Sequence, residues 1–252
     1  IAGRLDVVRH TGSTNTDLLA AVAEQPDAYP HLSVLVTDDQ RAGRGRLDRT
    51  WTAPAGAALA ISVLVRVPGI PAVQRGWVSL IAGTAMTLAI RDQFPPENAG
   101  GNSRVALKWP NDVLIDGAKV CGILSQMVPG EPDAIVVGAG INTRMMPEQL
   151  PVPTATSLAI AGADVDPDRL LADYLRALDR MLAAAVSADA VARVHTEVQG
   201  ACATLERQVR VMLPDNRVLE GWATGLDDAG RLVVAVDGKS LSVAAGDVIH
   251  VR

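Results

Sequence analysis

Apolar residues recur with period two in short runs and with period three to four in longer runs, so the pattern predicts strands and helices in alternation. Strands are predicted at residues 5–8, 32–37, 59–65, 105–109, 113–115, 119–127 and 134–141. Helices are predicted at residues 17–22, 73–94, 167–182 and 188–199. Asp166 would cap the third helix, and a turn at residues 97–103 follows the second. This mixture predicts an α+β fold built on a mixed β-sheet.

The pattern changes after residue 205, where only short strands are predicted. They fall at residues 209–213, 218–224, 232–236, 240–243 and 248–251, with turns at 214–216, 227–230 and 237–238. Evenly spaced short strands separated by Asn, Asp and Gly turns predict a small closed β-barrel. We therefore expect two domains, residues 1–203 and residues 204–252.

A run of polar residues precedes the first predicted helix. Ser13 or Thr14 would cap that helix, and Asp17 lies in its first turn. Capping accounts for one hydroxyl group. The triplet Ser13, Thr14 and Asn15 also sets hydroxyl and amide groups at a helix N-terminus, where a polar ligand can be held.

An arginine- and glycine-rich stretch, residues 40–51, lies between two predicted buried strands and reads QRAGRGRLDRTW. Glycine lets the backbone approach a ligand closely, and arginine offers a permanently charged, forked donor for carboxylate or phosphate oxygens. Two interpretations fit these residues: a mobile loop that closes over an anionic reactant, and a solvated basic loop.

Several polar residues lie at predicted strand ends. Lys108 precedes the residues Trp-Pro-Asn-Asp at 109–112, and Lys119 opens an otherwise apolar strand. Such a lysine is commonly an edge or snorkelling residue. Residues 113–115 are predicted to resume the strand that Pro110 interrupts, and residues 119–127 to be its return strand. The two lysines then come from the two arms of one predicted hairpin, so a shared site is also compatible. Asn142 follows Gly-Ala-Gly-Ile at 138–141 and is either a turn former or a site residue. The proline-rich residues 147–156 either face a site or simply connect two elements.

Composition narrows the function class. The chain has 252 residues, a net charge of −5 and only 3% aromatic residues, which argues against nucleic acid as the principal partner. No apolar run is long enough to span a membrane. Cys121 and Cys202 form no metal-type cluster, which favours a reducing, cytoplasmic setting and leaves a disulfide between them open. The four histidines are scattered along the sequence, so neither a zinc site nor a histidine-based triad is supported. The sequence also contains no Walker-type phosphate loop and no dinucleotide-binding glycine motif.

Five motifs, taken in order, resemble those of biotin protein ligase, also called biotin–acetyl-CoA-carboxylase ligase. They are Ser13-Thr14-Asn15; Gln40 with Gly43-Arg44-Gly45-Arg46; Lys108-Trp109-Pro110-Asn111-Asp112; Lys119 with Gly122-Ile123-Leu124; and Gly138-Ala139-Gly140-Ile141-Asn142. The resemblance implies a catalytic domain like that of class II aminoacyl-tRNA synthetases and a C-terminal SH3-like barrel. The chain departs from the family at Asp48, where glycine is frequent. Only residues 1–11 precede the first motif, as in family members without an N-terminal helix-turn-helix domain, unless such a domain was removed.

The resemblance also implies a reaction. Biotin and ATP form biotinyl-5′-AMP and pyrophosphate, and the biotinyl group then passes to a lysine of a biotin carboxyl carrier protein domain of acyl-CoA carboxylases. Ser13, Thr14, Asn15 and Gln40 would hold the ureido ring, and Gly43, Arg44, Gly45 and Arg46 would fold over biotin and the adenylate. Lys119, beside Gly122, would bridge the biotin carboxylate and the phosphate. Arg49, Trp51, Lys108, Asn111 and Asn142 would contact ATP, which Mg²⁺ would accompany.

The transfer step needs a base, because an unperturbed lysine has a pKa of about 10.4. Asp112 is the nearest candidate, although a carboxylate in a turn also bonds to backbone amides. The same residues leave two alternatives: a lipoate-type ligase, and a nucleic-acid-binding module that would use the arginine-rich stretch and the barrel. Whether the protein is a monomer or a weak homodimer stays open.

Overall fold

The computed structural model describes residues 1–47, 49–95, 104–215 and 217–251. The departure at Asp48, Asn216 of a predicted turn, and the turn predicted at residues 97–103 therefore lie outside the described residues.

The predicted helices are confirmed, with small changes at their ends. They are α1 (Thr14–Glu24), α2 (Gly76–Arg91), α3 (Pro167–Ala185) and α4 (Val191–Ala201). Two caps agree with the sequence: the Ser13 hydroxyl accepts a hydrogen bond from Thr16 N at 3.4 Å, and the Asp166 carboxylate accepts from two backbone N–H groups at the start of α3. Helix α2 begins later than predicted because residues 72–74 form a separate 3₁₀ turn.

The strands form one large sheet, a smaller one and a two-residue hairpin. They are β1 (Arg4–Val7), β2 (Ser33–Thr37), β3 (Gly43–Arg44), β4 (Thr50–Trp51), β5 (Ala58–Arg66), β6 (Val105–Lys108), β7 (Asp112–Ile115), β8 (Ala118–Val128), β9 (Glu131–Asn142), β10 (Arg207–Met212), β11 (Val218–Leu226), β12 (Leu232–Val236), β13 (Lys239–Val243) and β14 (Asp247–His250). The large sheet has the order β1-β2-β5-β9-β8-β7-β6. Strand β1 pairs with β2 in parallel and the other neighbours are antiparallel, so the sheet is mixed, as predicted.

One detail of the hairpin prediction is wrong. Strands β6 and β7 are not one interrupted strand but pair antiparallel, with Lys108 opposite Asp112. The residues between them turn the chain back on itself, and proline there cannot donate to a strand ladder. Lys108 and Lys119 therefore lie on β6 and β8, on either side of β7, and not on the two arms of one hairpin.

The predicted closed barrel is also wrong for the described residues. Strands β10–β14 form an open antiparallel sheet in the order β13-β12-β11-β10-β14. Four of the five residues of β13 are exposed, so its outer edge faces solvent and does not pair with β14. Short strands and turns are readable from a sequence, whereas closure depends on strand curvature, which the hydrophobic pattern does not encode.

One large, mainly aliphatic core cluster joins the two sheets, and a smaller cluster lies between helix α1 and the large sheet. Helix α2 is buried on most of its surface because it lies between the large sheet and α3. Two tryptophans attach the C-terminal sheet: Trp77 Nε1 donates to Asp228 O at 3.0 Å, and Trp109 Nε1 donates to Gly230 O at 3.1 Å. Cys121 and Cys202 are buried, free thiols. In the part of the chain that the structure describes, none of the helices has the length and apolar character that a membrane crossing requires.

Candidate active site

A cavity of about 550 Å³ opens over strands β8 and β9, between the arginine-rich hairpin β3–β4 and the C-terminal sheet. Every predicted site residue except Gly43 lines it, namely Ser13, Thr14, Asn15, Gln40, Arg44, Gly45, Arg46, Arg49, Trp51, Lys108, Asn111, Asp112, Lys119, Gly122 and Asn142. The chain thus brings residues from well-separated motifs to one place. The roles expected of these residues stay predictions.

One end of the cavity is neutral and rich in hydrogen-bonding groups. The Gln40 side chain accepts from Thr14 N at 2.8 Å and lies 3.0 Å from the Thr14 hydroxyl. Asn15 Nδ2 donates to Leu124 O at 3.1 Å and to Gln126 Oε1 at 2.9 Å. Ser62 on β5 completes the network. The helix N-terminus therefore holds its polar side chains rigidly against the sheet.

Two glycines make this packing possible. A Cβ atom on Gly138 would lie 2.3 Å from Asn15 Oδ1, and one on Gly43 would lie 2.4 Å from Gln40 Nε2. Real Cβ atoms do not approach polar atoms so closely. Gly138 thus leaves room for the Asn15 amide. Gly43 does not line the cavity. Because it has no side chain, it leaves room behind the cavity wall for the Gln40 amide.

The other end of the cavity is cationic. Lys119 Nζ lies 2.6 Å from Asp112 Oδ1, and its ammonium group passes over Gly122. Lys108 is half-buried nearby, and burial lowers its pKa although the neighbouring Asp112 carboxylate opposes the shift. Two lysines and one carboxylate therefore lie together at this end of the cavity.

Arg46 extends this cationic end from the hairpin. Its Nη1 donates to Asn111 Oδ1 at 3.0 Å, and Asn111 Nδ2 donates to Ile123 O at 2.7 Å. Burial lowers the pKa of Arg46, yet a guanidinium stays protonated at neutral pH. Asn111 therefore links the arginine to strand β8.

Arg49 reaches across to the C-terminal sheet and forms an ion pair with Asp247 on β14. Within the hairpin, Gly45 N donates to Arg49 O at 2.7 Å, and Arg44 is exposed opposite Thr50. Trp51 packs its indole ring on Gly140, where a Cβ atom would lie 2.7 Å from the ring. The hairpin is thus attached at Trp51 and Arg49, while Arg44 points into the open side.

The proline-rich segment faces the site. Lys119 is bonded through its backbone on both sides, since its N–H donates to Thr154 O and its carbonyl accepts from Thr156 N, each at 2.8 Å. Asn142 Nδ2 donates to Thr156 O at 2.9 Å. Of the two interpretations of residues 147–156, the structure favours the one in which they face the site.

Comparison with known proteins identifies the family. The model of the Biotin/lipoate A/B protein ligase family matches residues 7–142, more than half of the chain. The chain belongs to this family. The model of the Biotin protein ligase C terminal domain matches residues 204–251.

Similar proteins support the same assignment to the ligase family. The chain is 40% identical to the biotin--[acetyl-CoA-carboxylase] ligase of Mycobacterium tuberculosis, over 99% of this chain and 90% of the relative. It is 30% identical to the bifunctional ligase/repressor BirA of Escherichia coli, over 94% of this chain and 73% of the relative. The crystal structure of Aquifex aeolicus biotin protein ligase in complex with biotin and ATP covers 99% of both chains with a TM-score of 0.77 and 23% identity, which shows a shared fold.

Sequence reasoning about this ligase-family chain missed some of the cavity wall. The unpredicted lining residues include Met212, Asp247 and Ile249. They lie in the C-terminal sheet and carry no motif, so only the packing of that sheet reveals them. Ser62 and Gln126 lie behind the wall. Ser62 is the single polar residue in an otherwise buried run of β5, and this is the signal that could have found it. Gln126 follows Ser125 in a half-buried stretch of β8 and carries no such signal.

Proposed function

We propose that this protein activates biotin with ATP to biotinyl-5′-AMP, releasing pyrophosphate, and transfers the biotinyl group to a lysine of a biotin carboxyl carrier protein domain. The observation that carries the proposal is the cavity itself, which joins a neutral hydrogen-bonding end to a cationic end. A ligand with a ring of hydrogen-bonding groups and a carboxylate fits such a site. The M. tuberculosis relative is named for this reaction.

The spacing of the two ends along strand β8 supports the assignment of biotin. Leu124, whose carbonyl fixes Asn15, lies two residues along the strand from Gly122, over which the Lys119 ammonium group passes. At about 3.3 Å per residue the two ends are therefore roughly 7 Å apart along the strand. An elongated acid would then place its ring beside Thr14, Asn15 and Gln40 and its carboxylate near Lys119.

The first step brings a carboxylate against an α-phosphate, so two negative groups must meet. Lys119, Arg44 and Arg46 would neutralise them, and no covalent enzyme intermediate is needed. Arg49, Trp51, Lys108, Asn111 and Asn142 would hold the nucleotide, with the Trp51 indole as a stacking face. Mg²⁺ would arrive on the triphosphate, since no group of three or more His, Cys, Asp or Glu side chains among the described residues could hold it.

We further infer a division into a catalytic domain, residues 1–203, and a C-terminal domain, residues 204–252, of SH3-like character. The support is the change from the mixed sheet to the separate five-stranded sheet, together with the match of residues 204–251. Asp247, Met212 and Ile249 would then close one side of the site from the second domain. A cytoplasmic setting stays a prediction.

Incubation with biotin and α-labelled ATP tests the function directly. We expect labelled biotinyl-adenylate. When a carrier domain is added, we expect biotin on the carrier and the label on the released AMP. Lipoate in place of biotin serves as the competing acid. Adenylate formation from lipoate and none from biotin would contradict the proposal and favour the lipoate-type alternative.

Asp112→Asn is expected to slow the transfer of biotin from preformed adenylate by about a hundredfold or more, since a positioned base contributes roughly 10²–10⁴-fold. Its Oδ1 lies 2.6 Å from Lys119 Nζ, so the variant also removes that ion pair. Single-turnover transfer with purified adenylate separates the two roles. A normal transfer rate with slowed adenylate formation would assign Asp112 to positioning Lys119 alone.

We expect the hairpin β3–β4 to become more ordered with adenylate bound and to depend on its ion pair with the C-terminal sheet. Asp247→Asn removes the charge that holds Arg49, so cleavage by trypsin near residues 44–49 should increase several-fold in the free variant. Asp237→Asn, at an exposed turn of the same domain, is the matched control. Equal cleavage with and without adenylate in the wild-type protein would refute the ordering.

A further inference from the structure

Four side-chain oxygen atoms form a buried chain at the neutral end of the cavity. In order they are Gln40 Oε1, Thr14 Oγ1, Ser62 Oγ and Asn15 Oδ1, at successive distances of 3.0, 2.8 and 2.6 Å. Each distance is that of a hydrogen bond, which requires one hydrogen between the two oxygens. Ser62 lies in the middle of strand β5 and is fully buried.

The Asn15 end of this chain is an acceptor. The other amide atom of Asn15 lies 3.1 Å from the backbone carbonyl oxygen of Leu124. A carbonyl oxygen only accepts, so the amide atom that faces it is the nitrogen, and Oδ1 faces Ser62. Gln126 Oε1 accepts a second hydrogen from the same nitrogen at 2.9 Å and holds the amide in this orientation.

The Gln40 end is an acceptor for a similar reason. Its Oε1 atom lies 2.8 Å from the backbone N–H of Thr14, which only donates. Its nitrogen faces Gly43 instead. Both ends of the chain are therefore fixed as acceptors by backbone groups.

Between these ends lie two hydroxyl groups, which carry two hydrogens for three contacts. Ser62 must donate to Asn15, because Oδ1 has no hydrogen. Thr14 can then donate to Ser62 or to Gln40, and the remaining contact brings two lone pairs together. The network is one hydrogen short, and its members Thr14 and Gln40 both line the cavity.

We propose that this shortage selects a ligand with an N–H group, and that Ser62 is a specificity-determining residue and Gln126 a positioning residue of the site. A ligand N–H that donates to the Thr14 or the Gln40 oxygen places a positive hydrogen beside the two facing lone pairs and so offsets the unfavourable contact. The inference rests on the proposed function, because the ureido ring of biotin carries two N–H groups. The dithiolane ring of lipoate carries none, so the same network disfavours lipoate.

Ser62→Ala tests the inference, because it removes two of the three contacts and one of the two hydrogens. The Thr14 hydrogen then serves the Gln40 contact, which no longer brings two lone pairs together, while Asn15 Oδ1 loses its donor. Biotin is compared with two cyclic-carbamate analogues, each with an oxygen in place of one ureido N–H. We expect wild-type protein to prefer biotin over at least one analogue by tenfold or more, and Ser62→Ala to lose about tenfold of that preference. The KM for biotin should rise while the KM for ATP is unchanged.

Ser33→Ala is the matched control. Ser33 is a fully buried serine on the neighbouring strand β2, and its hydroxyl donates to Pro30 O at 2.8 Å, away from the cavity. It should lose stability without any change in ligand preference. An unchanged preference in Ser62→Ala would overturn the inference, whereas failure of the wild-type protein to bind biotin at all would overturn the proposed function instead.

A second pair of variants keeps the test decisive if Ser62→Ala does not fold. Gln126→Glu retains an oxygen that accepts from Asn15, and Gln126→Leu removes it. We expect Gln126→Leu to raise the KM for biotin several-fold and Gln126→Glu to stay near the wild-type value, with the KM for ATP unchanged in both. Wild-type behaviour of Gln126→Leu would contradict the positioning role.

Discussion

Lys119→Ala is expected to lose biotin-dependent pyrophosphate exchange by several hundredfold or more. Removing one preorganised charge from a site of developing negative charge costs about 3–4 kcal/mol of transition-state stabilisation. Lys119 is the group that the cavity places nearest to Asp112 and above Gly122, where a carboxylate would meet the α-phosphate. The exchange assay reports adenylate formation alone and does not depend on the carrier.

The variant should remain folded, which keeps its interpretation clear. The Lys119 side chain is 44% exposed, and an ion pair at such a position contributes little to the free energy of unfolding. Lys239→Ala, at an exposed position of β13, serves as a control for the loss of one positive charge. Exchange at the wild-type rate in Lys119→Ala would remove the lysine from the mechanism.

The sequence predicted the elements of the site better than their arrangement. Helix caps such as Ser13 and Asp166 depend on neighbouring residues only, so they were readable. The turn between β6 and β7 was misread because a short break in an apolar run is compatible with both a continued strand and a reversal. The wrong prediction that Lys108 and Lys119 lie on the two arms of one hairpin is a consequence of that misreading.

The contributions of the C-terminal sheet could not be read from local patterns. Asp247 lies near the end of the chain, in a strand like many others, and becomes part of the site only because Trp77 and Trp109 attach that sheet beside the cavity. Arg49 and Asp247 form an ion pair although 198 positions separate them in the sequence, so no local pattern predicts this contact. Contacts of this kind depend on tertiary packing, which a single sequence does not display.

Ser62 and Gln126 illustrate a different limit. Ser62 is an isolated polar residue in a strand and Gln126 follows another polar residue, and each has an ordinary structural explanation, such as a hydrogen bond to a neighbouring strand. Only the distances to Thr14 and Asn15 show that they belong to one network. The motif residues could be predicted from their type and spacing, whereas the residues that hold them could not.

Gly138→Ala is expected to weaken biotin binding by a hundredfold or more. The new methyl group would lie 2.3 Å from Asn15 Oδ1 and under 3 Å from the rest of the amide, so Asn15 must move. The Asn15 side chain is buried and bonded to Leu124, Gln126 and Ser62, and each buried polar group left without a partner costs about 1–3 kcal/mol. Titration calorimetry with biotin measures the loss.

Gly200→Ala is the matched control for this variant. Gly200 lies in helix α4 with no atom within 4 Å of an added Cβ, so alanine there should be neutral or stabilising. A double variant separates steric overlap from general damage: Asn15→Ala added to Gly138→Ala removes the overlap and should restore part of the melting temperature without restoring biotin binding. Wild-type affinity in Gly138→Ala would mean that the Asn15 amide is free to move, and the rigid neutral end of the cavity would then no longer account for the choice of ligand.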